Sequence, residues 1–463
     1  ICFLIYLYIT RGYQKEMYAL AFTDKLTGVR NFAKFRQDGE ERLQAADGLP
    51  CALLSINMLN FKIFNDVMGY SEGDALLKAF ARILEREAPR PVLVARMLAD
   101  AFLVLFPYEE KEDLVAYCEA YSRALNDFIM SRKQNYQLEL RSGICCVEDG
   151  GVSDINSLLD RANMALQTIK RKGAAQWKFY DRTMRDKLLR EKDLEIRMEK
   201  ALADGEFLVY IQPKYWVGSR ALAGGEALVR WKSPDQGFLS PGAFIPLFEK
   251  NGFIVKLDQF MFTSVCVLLR QWIDAGIEPC PLSVNVSRMQ FHTPDFVERY
   301  IKIKSQYAIP DGLLELEFTE SIFFENVALL SSAVHELRRA GIKCAIDDFG
   351  AGYSSLNVLK ALPVSVLKRD GMFFRTAKDD EQAKIVIRNI MRMAAELKMS
   401  TVAEGVETHE QVAFLETTGC DIIQGYVFAR PMPAAEFTGL LEGEGRHEGR
   451  ARGAFDQRKA FCL

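Results

Sequence analysis

The sequence predicts an α/β protein whose second half forms a TIM-like (β/α)8 barrel with a reversed first strand. From about residue 206 onward, apolar β-rich runs alternate with helix-like segments, which gives eight strands in roughly 240 residues. The first two runs, FLVYIQPKYW and GGEALVRW, are separated only by a turn that contains Gly218 and Ser219. This turn is too short for a helical crossover, so the two strands must pair antiparallel.

The first half, residues 17–181, is predicted to be a separate α+β domain. It contains a buried strand in CALLSI, a helix in GDALLKAFARILERE and a hairpin in PVLVARMLADAFLVLFP. Residues 182–202 alternate charges of opposite sign with isolated apolar side chains, which is typical of an exposed linker helix. A coupling or dimerising helix is the alternative for this segment.

Length and composition indicate a globular protein of more than one domain. The chain has 463 residues, which is too long for one ordinary core, and its 49% hydrophobic content is that of a globular protein. The net charge of −3, without a long basic stripe, argues against binding to a nucleic acid polymer. Ten scattered cysteines without metal-ligand spacing indicate a reduced, cytosolic chain.

The N-terminal segment, residues 1–16, opens on ICFLIYLYIT before Arg11. This apolar run is shorter than the about 20 residues that span a bilayer. We expect it to be the end of a truncated transmembrane helix, with Arg11 and Lys15 on the cytoplasmic side. The domains that follow would then be cytoplasmic and anchored to the cell membrane. A buried strand or helix end is the alternative.

Polar side chains follow the predicted barrel strands at the point where each strand ends. Because functional residues of such barrels gather at the carboxyl ends of the strands, these side chains are expected to share one mouth. Several carboxylates in one pocket repel each other, and oxygen ligands suit Mg²⁺ or Mn²⁺, two of which clamp a phosphodiester. The residues are Glu226, Asn285, Glu317, Asp347, Asp348, Lys368, Glu404 and Gln424.

The second half resembles the EAL domain family of cyclic di-GMP phosphodiesterases over about residues 200–440. The motifs QPK, EALVRW, FIPLFE, NVS, EFTE, DDFGAGYSSL, LKRD, AEGVE and QGY occur in the family's order. The resemblance implies an EAL phosphodiesterase domain at 203–440, followed by a polar tail at 441–463. It also implies hydrolysis of cyclic di-GMP to linear pGpG with two Mg²⁺ or Mn²⁺ ions per active site.

The same resemblance assigns roles to individual residues. The implied metal ligands are Glu226, Asn285, Glu317, Asp347, Asp348 and Glu404, with Asp348 at the second metal. Glu404 is either a ligand or the general base, and this choice stays open at the level of the sequence. The implied water-positioning residues are Lys368 and Gln424, and the implied substrate contacts are Arg230, Gln212 and Leu228. Glu320 would anchor a loop, and Asp370 and Glu407 would support the ligands.

Two residues depart from the EAL pattern. Ala351 replaces the usual Thr, and Arg369 replaces the usual Ile before Asp370. Neither change removes a ligand, so the departures bear on loop closure and dimer coupling. No ligand is missing, which favours catalysis over the alternative function, a receptor that binds cyclic di-GMP without cleaving it. The family pattern also suggests a homodimer.

The first half resembles the GGDEF domain, which makes cyclic di-GMP from two GTP, through DKLTGVRN, FKIFND and GYSEGD. Its signature is degenerate, because the chain reads Leu98-Ala99-Asp100-Ala101-Phe102 where the family has two Gly, an acid, Glu and Phe. Asn57 also replaces a metal-binding aspartate, so the domain is expected to be an inactive cyclase. Asn65 and Asp74, which match guanine contacts, leave GTP binding as a candidate beside a purely scaffolding role.

Overall fold

The computed structural model describes residues 17–44, 50–87, 90–132, 138–147, 154–169, 176–320, 322, 327–349, 363–369 and 381–448. The chain divides into two compact units, Ile1–Lys192 and Asp193–Leu463. The predicted membrane segment at residues 1–16 lies outside the described residues and stays a prediction. Within the described part of the chain, no helix is both long and apolar enough to cross a membrane.

The first unit is a mixed sheet with helices packed against it. Its strands lie in the order β1-β3-β4-β2-β5-β6. The strands are β1 (Arg30–Asn31), β2 (Cys51–Leu59), β3 (Leu93–Leu98), β4 (Ala101–Pro107), β5 (Glu139–Cys146) and β6 (Trp177–Phe179). The helices are α1 (Phe32–Gln44), α2 (Phe61–Met68), α3 (Tyr70–Arg86), α4 (Lys111–Ser131) and α5 (Ile155–Gln167).

Strand β2 is buried on both faces because hydrophobic clusters cover the two sides of the sheet. Leu54 and Ile56 belong to one cluster, and Cys51 and Leu53, which point the other way, belong to a second. β2 pairs antiparallel with β4 and with β5, and β3 pairs antiparallel with β4. The α+β class and the hairpin predicted for this half are therefore confirmed.

The second unit is a closed barrel of eight strands. They are β7 (Phe207–Trp216), β8 (Leu222–Ser233), β10 (Leu282–Val286), β11 (Leu314–Thr319), β12 (Lys343–Asp347), β13 (Val366–Arg369), β14 (Ser400–Ala403) and β15 (Ile422–Ile423). Short strands β9 (Gly237–Leu239) and β16 (Met432–Pro433) add to β8 and β7.

The described helices of this unit surround the barrel strands. They are the second half of α6 (Arg182–Ala203), α7 (Pro241–Asn251), α8 (Ile254–Asp274), the 3₁₀ helix Arg288–His292, α9 (Phe296–Gln306), α10 (Val327–Arg339), α11 (Glu381–Glu396), α12 (His409–Thr418) and α13 (Ala434–Glu448). The main core lies between strands and helices, where the inner faces of α8 and α9 pack on β10 and β11. α13 extends past the domain boundary predicted at residue 440.

The first barrel strand runs opposite to all the others. β7 pairs antiparallel with β8 and with β15, whereas the strands from β8 and β10 to β15 pair parallel with their neighbours. In the β7–β8 register Gln212 lies opposite Glu226. The reversed first strand is confirmed, and it brings the QPK segment beside EALVRW.

Helix α6 coincides with the predicted linker but is only partly solvated. Leu194 is 3% exposed and Ala201 is 1% exposed, and both belong to the cluster built on Trp231 and Phe244. Arg197 also donates a hydrogen bond to the Ser233 hydroxyl at 2.7 Å. The expectation of a solvated connector is therefore wrong for the second half of this helix, which packs against the barrel.

The burial of Leu194 predicts a measurable contribution to the stability of the barrel unit. Leu194→Ala should lower the free energy of unfolding by about 2–4 kcal/mol, because it leaves a cavity against an aromatic cluster. Ile196→Ala is the matched control, since Ile196 is 80% exposed on the same helix and should cost less than about 0.5 kcal/mol. Urea unfolding followed by tryptophan fluorescence measures both. Equal effects of the two substitutions would contradict the packing.

Candidate active site

The predicted polar residues meet at one end of the barrel interior around the side chain of Lys368. Its Nζ lies 3.2 Å from Glu226 Oε2 and 3.6 Å from Asp347 Oδ1, and it forms short ion pairs with Glu317 and Glu404. Lys368 has no solvent-exposed surface. One ammonium group thus faces four carboxylates that come from, or directly follow, four different strands.

Burial alone would lower the pKa of Lys368, but Glu226, Glu317 and Glu404 raise it well above its usual value. The ammonium is therefore charged at neutral pH. One positive charge does not balance four carboxylates. Two of the carboxyl groups have raised pKa values. Burial raises the pKa of Asp347 to about 6 despite the opposing effect of Lys368, and burial likewise raises the pKa of Glu404 well above its usual range.

Glu317 behaves differently because it lies between two lysines. Its Oε1 accepts a hydrogen bond from Lys214 at 2.9 Å, and its Oε2 accepts one from Lys368. Burial would raise the pKa of Glu317, but Lys214 and Lys368 outweigh it and lower the pKa to about 2. Glu317 is thus a fixed negative charge at the centre of the barrel.

Glu226 is held by amide groups in addition to Lys368. Asn285 donates to Glu226 Oε1 at 2.6 Å, and Gln424 donates to Glu226 Oε2 at 2.7 Å. Gln424 also donates to Gln212 Oε1 at 3.1 Å, and Gln212 donates to the carbonyl of Ala429. These contacts connect β7, β8, β10 and the segment after β15, so the structure brings Gln212, Asn285 and Gln424 together.

Asp347 and Asp348 lie side by side at the end of β12. Asp348 has a φ of 55°, in the left-handed region that Asp tolerates better than most residues, and its N–H donates to Asp347 Oδ1 at 2.9 Å. This turn keeps two consecutive carboxylates at the same mouth. Both residues also line the adjoining cavity.

The cavity beside the cluster has a volume of about 350 Å³. Its wall includes two of the predicted substrate contacts, Leu228 and Arg230, together with Asn285. The Arg230 guanidinium lies 5.6 Å from the ring centre of Tyr210, and its Nη1 donates to the carbonyl of Val229. A cation and an apolar side chain are therefore available to a ligand beside the carboxylates.

Two acidic residues of the cavity wall were not singled out from the sequence. Asp258 Oδ2 accepts hydrogen bonds from the Ser287 N–H at 2.9 Å and from Gln290 at 3.2 Å, and Ser287 donates to Glu249 at 2.9 Å. Burial raises the pKa of Asp258 to about 7. Glu249 was present in the FIPLFE motif, but nothing in the sequence alone placed Asp258 on helix α8 next to the strand end of β10.

The residues predicted to support the cluster differ in their positions. Glu320 is buried directly after β11, whereas Glu407 is exposed before α12, so the structure does not place Glu407 among the buried carboxylates. Arg369 is buried, and burial lowers its pKa to about 10. Asp370 and Ala351 lie outside the described residues.

The candidate GTP contacts lie in the first unit. Asp74 is exposed on α3, and the side chain of Asn65 on α2 lies against Gly73. Asn65 Oδ1 is buried, and among the described residues it has no hydrogen-bond partner. Leu98 is 76% exposed at the turn of the β3–β4 hairpin, where Ala99 has a φ of 50°.

A barrel with a lysine-centred carboxylate cluster at one mouth defines a class of barrel enzyme, and comparisons with known proteins identify the family. Residues 196–431 match the EAL domain, and residues 21–176 match the diguanylate cyclase, GGDEF domain. The chain belongs to the EAL domain family and carries a GGDEF domain in tandem before the barrel.

Two relatives of known name match this chain over most of its length. The bifunctional diguanylate cyclase/cyclic di-GMP phosphodiesterase MucR of Pseudomonas aeruginosa is 30% identical over 91% of this chain and 62% of its own length. The cyclic di-GMP phosphodiesterase PdeR of Escherichia coli is 30% identical over 92% of this chain and 64% of its own length. The chain therefore spans less than two thirds of either relative.

A solved structure supports the barrel assignment. It is described as the PaMucR phosphodiesterase in a c-di-GMP complex, and it is 35% identical to this chain with a TM-score of 0.51. The match covers 53% of this chain and 99% of the solved one. The similarity therefore concerns the barrel unit.

The position of Lys368 predicts its role in stability. Lys368→Met should lower the free energy of unfolding by about 3–5 kcal/mol, because it leaves buried carboxylates without their counter-charge. Lys256→Met is the matched control, since Lys256 pairs with Glu199 at the surface and should cost less than about 1 kcal/mol. Chemical unfolding of both variants in a metal-free buffer is the measurement. A loss from Lys368→Met as small as that of the control would contradict the cluster.

Proposed function

We propose that the chain hydrolyses cyclic di-GMP to linear pGpG with the help of Mg²⁺ or Mn²⁺. The observation that carries this proposal is the excess of carboxylates at the barrel mouth beside a cavity lined by Arg230 and Leu228. The printed activities of MucR and PdeR, and the cyclic di-GMP complex of the MucR phosphodiesterase, support the same substrate.

The donor set fits divalent cations. Within the described residues, no group of three or more His, Cys, Asp and Glu is arranged to hold a metal ion, and the Lys368 ammonium lies among the carboxylates instead. The carboxylate charge nevertheless exceeds that of Lys368, since four carboxylates surround its one ammonium group. The side-chain amide nitrogen of Asn285 donates to Glu226, which leaves the side-chain oxygen Oδ1 of Asn285 for a cation.

Residues that would hold two Mg²⁺ or Mn²⁺ ions are Glu226, Asn285, Glu317, Asp347, Asp348 and Glu404. Bound ions would supply positive charge that favours a hydroxide over water and stabilises the charge of the phosphodiester. Oxygen ligands of this kind match the preferences of these two ions.

Protein groups perform the remaining tasks of hydrolysis. Water adds to one phosphorus of the cyclic dinucleotide, the bond from that phosphorus to the 3′ oxygen breaks, and the linear product carries a 5′ phosphate. Lys368 stabilises negative charge that develops in this step. Gln424, held between Gln212 and Glu226, orients polar groups at the mouth, and Glu404 with its raised pKa is suited to accept the proton of water.

The alternative function is a receptor that binds cyclic di-GMP without hydrolysing it. Such a protein would retain the cavity but lack one of the groups that act on water or on the phosphate. Here Glu226, Lys368, Glu404 and Gln424 lie together in the described structure, so catalysis is the better supported function.

Glu404→Gln separates the two functions. The purified chain, incubated with cyclic di-GMP and Mg²⁺ or Mn²⁺, should yield pGpG, and Glu404→Gln should lower this rate by about 100-fold or more, because it removes a base or ligand. Glu396→Gln, an exposed change on α11, is the matched control and should keep the wild-type rate. Chromatographic separation of the products measures all three.

Two outcomes would overturn the proposal. A wild-type chain that binds cyclic di-GMP without forming pGpG would be a receptor. Activity of Glu404→Gln within about threefold of the wild type would remove Glu404 from the catalytic set.

We infer that the first unit makes no cyclic di-GMP but retains a weak GTP site. The exposed Leu98 and the uncharged Asn57 oppose catalysis, because the former crowds a phosphate and the latter supplies no charge to a metal ion. The match of Asn65 and Asp74 to the guanine contacts of the family favours the site. A scaffold for dimerisation is the alternative role, and a homodimer stays part of this proposal.

A single experiment with GTP tests this inference. The Glu404→Gln chain is used so that any cyclic di-GMP formed would survive, and we expect none in the presence of Mg²⁺ because the catalytic groups are absent. Calorimetry with GTP should show weak binding that Asn65→Ala removes. Formation of cyclic di-GMP would contradict the inactive cyclase, and the absence of heat at millimolar GTP would leave only the scaffold.

A further inference from the structure

A charged layer lies inside the barrel directly below the candidate active site. Lys214 on β7, Ser283 on β10 and Glu315 on β11 are 5%, 2% and 8% exposed. Across the barrel interior the corresponding positions are apolar, with Ala345, Val366 and Val402 forming a small cluster. Barrel interiors are usually filled by apolar side chains, so a buried lysine at this level needs an explanation.

The ammonium group of Lys214 donates hydrogen bonds to three acceptors. Its Nζ donates to Ser283 Oγ at 2.7 Å, to Glu317 Oε1 at 2.9 Å and to Glu315 Oε1 at 3.4 Å. An ammonium group has three donors, so each of them has a partner. The shorter of the two carboxylate contacts is with Glu317, which belongs to the site, and the longer is with Glu315, which lies below it.

Glu317 is thereby held from two sides. Lys214 binds Oε1 from the layer below, and Lys368 binds Oε2 on the side of the mouth. The rotation of the carboxylate about its last bond is fixed by these two contacts. Lys214 thus leaves one defined oxygen of Glu317 facing the catalytic groups.

Lys214 also affects how the Lys368 ammonium divides its contacts among the surrounding carboxylates. Lys368 has Glu226, Asp347 and Glu404 as further partners at the mouth. Without Lys214, Glu317 would have only Lys368 as its cation, and the attraction would draw the ammonium downward, away from those three carboxylates. The charge of Lys214 therefore keeps Lys368 available to the mouth.

We propose that Lys214 is a positioning residue for the hydrolysis, which orients Glu317 and keeps Lys368 at the barrel mouth. The proposal rests on the function proposed above and goes beyond it, because Lys214 acts through Glu317 and has no assigned contact with the substrate or the attacking water. A purely structural role, in which Lys214 only fills the barrel, is the competing explanation.

The test compares three variants of the full chain. Lys214→Met keeps the length of the side chain and removes its charge. Glu315→Gln is the matched control, since it removes charge from the same layer without disturbing Glu317. The double variant, Lys214→Met with Glu315→Gln, removes both members of the buried pair and so avoids an uncompensated charge.

We expect Lys214→Met to lower kcat for cyclic di-GMP by about 10–100-fold, the usual range for groups that orient ligands. KM should stay within about threefold, because the cavity wall does not change. The double variant should regain stability in thermal unfolding but not activity, whereas Glu315→Gln should keep the wild-type kcat. A structural role would instead let the double variant regain both.

A second readout does not depend on turnover. Titration of each substrate-free variant with Mn²⁺, followed by calorimetry or by the electron paramagnetic resonance of free Mn²⁺, should show about 10-fold weaker binding in Lys214→Met and in the double variant. Glu315→Gln should bind Mn²⁺ as the wild type does.

The outcomes separate this inference from the proposed function. Wild-type kcat and Mn²⁺ affinity in folded Lys214→Met or in the double variant would overturn the role of Lys214. A wild-type chain that forms no pGpG would overturn the proposed function, and the Mn²⁺ comparison would then decide on Lys214 alone. A wild type that neither forms pGpG nor binds Mn²⁺ would overturn both.

Discussion

The active-site half of this protein depends on one buried ammonium group. Lys368 lies within reach of four carboxylates, and removal of that charge would leave them to repel each other in a medium that screens poorly. The same arrangement is unbalanced, since one cation cannot neutralise all of them. A cluster that is held together yet retains excess negative charge is prepared to accept further cations, which is the property that a metal-dependent hydrolase needs.

The barrel architecture makes this cluster possible. Parallel strands deliver their carboxyl ends to one mouth, so residues separated by long stretches of sequence, such as Glu226 and Glu404, come together. The reversed strand β7 contributes in a different way, because its inward side chains reach the site from beside β8. Gln212 thereby supports Gln424, and Lys214 lies below Glu317. An ordinary parallel first strand would present its side chains at other heights.

The first unit keeps its fold although its signature turn departs from the GGDEF pattern. The two-sided burial of β2 and the β3–β4 hairpin need only apolar side chains and a tight turn, and the turn at Ala99 keeps a left-handed φ without glycine. The inactive cyclase proposed above follows from the exposed Leu98, which would crowd a phosphate of GTP. The fold of this unit therefore does not depend on the glycine pair of the signature.

The sequence by itself determined the barrel and its reversed strand, because alternating apolar runs and one short turn restrict how strands can pair. It also located the acidic positions, since strand ends are visible as the ends of those runs. Only the tertiary structure decided that Lys368 is the centre of the cluster, that Lys214 and Asp258 belong to its surroundings, and that Leu194 is buried. These facts depend on distances between side chains far apart in the chain. Local sequence patterns place residues at the same mouth of the barrel but do not give the distances between individual side chains.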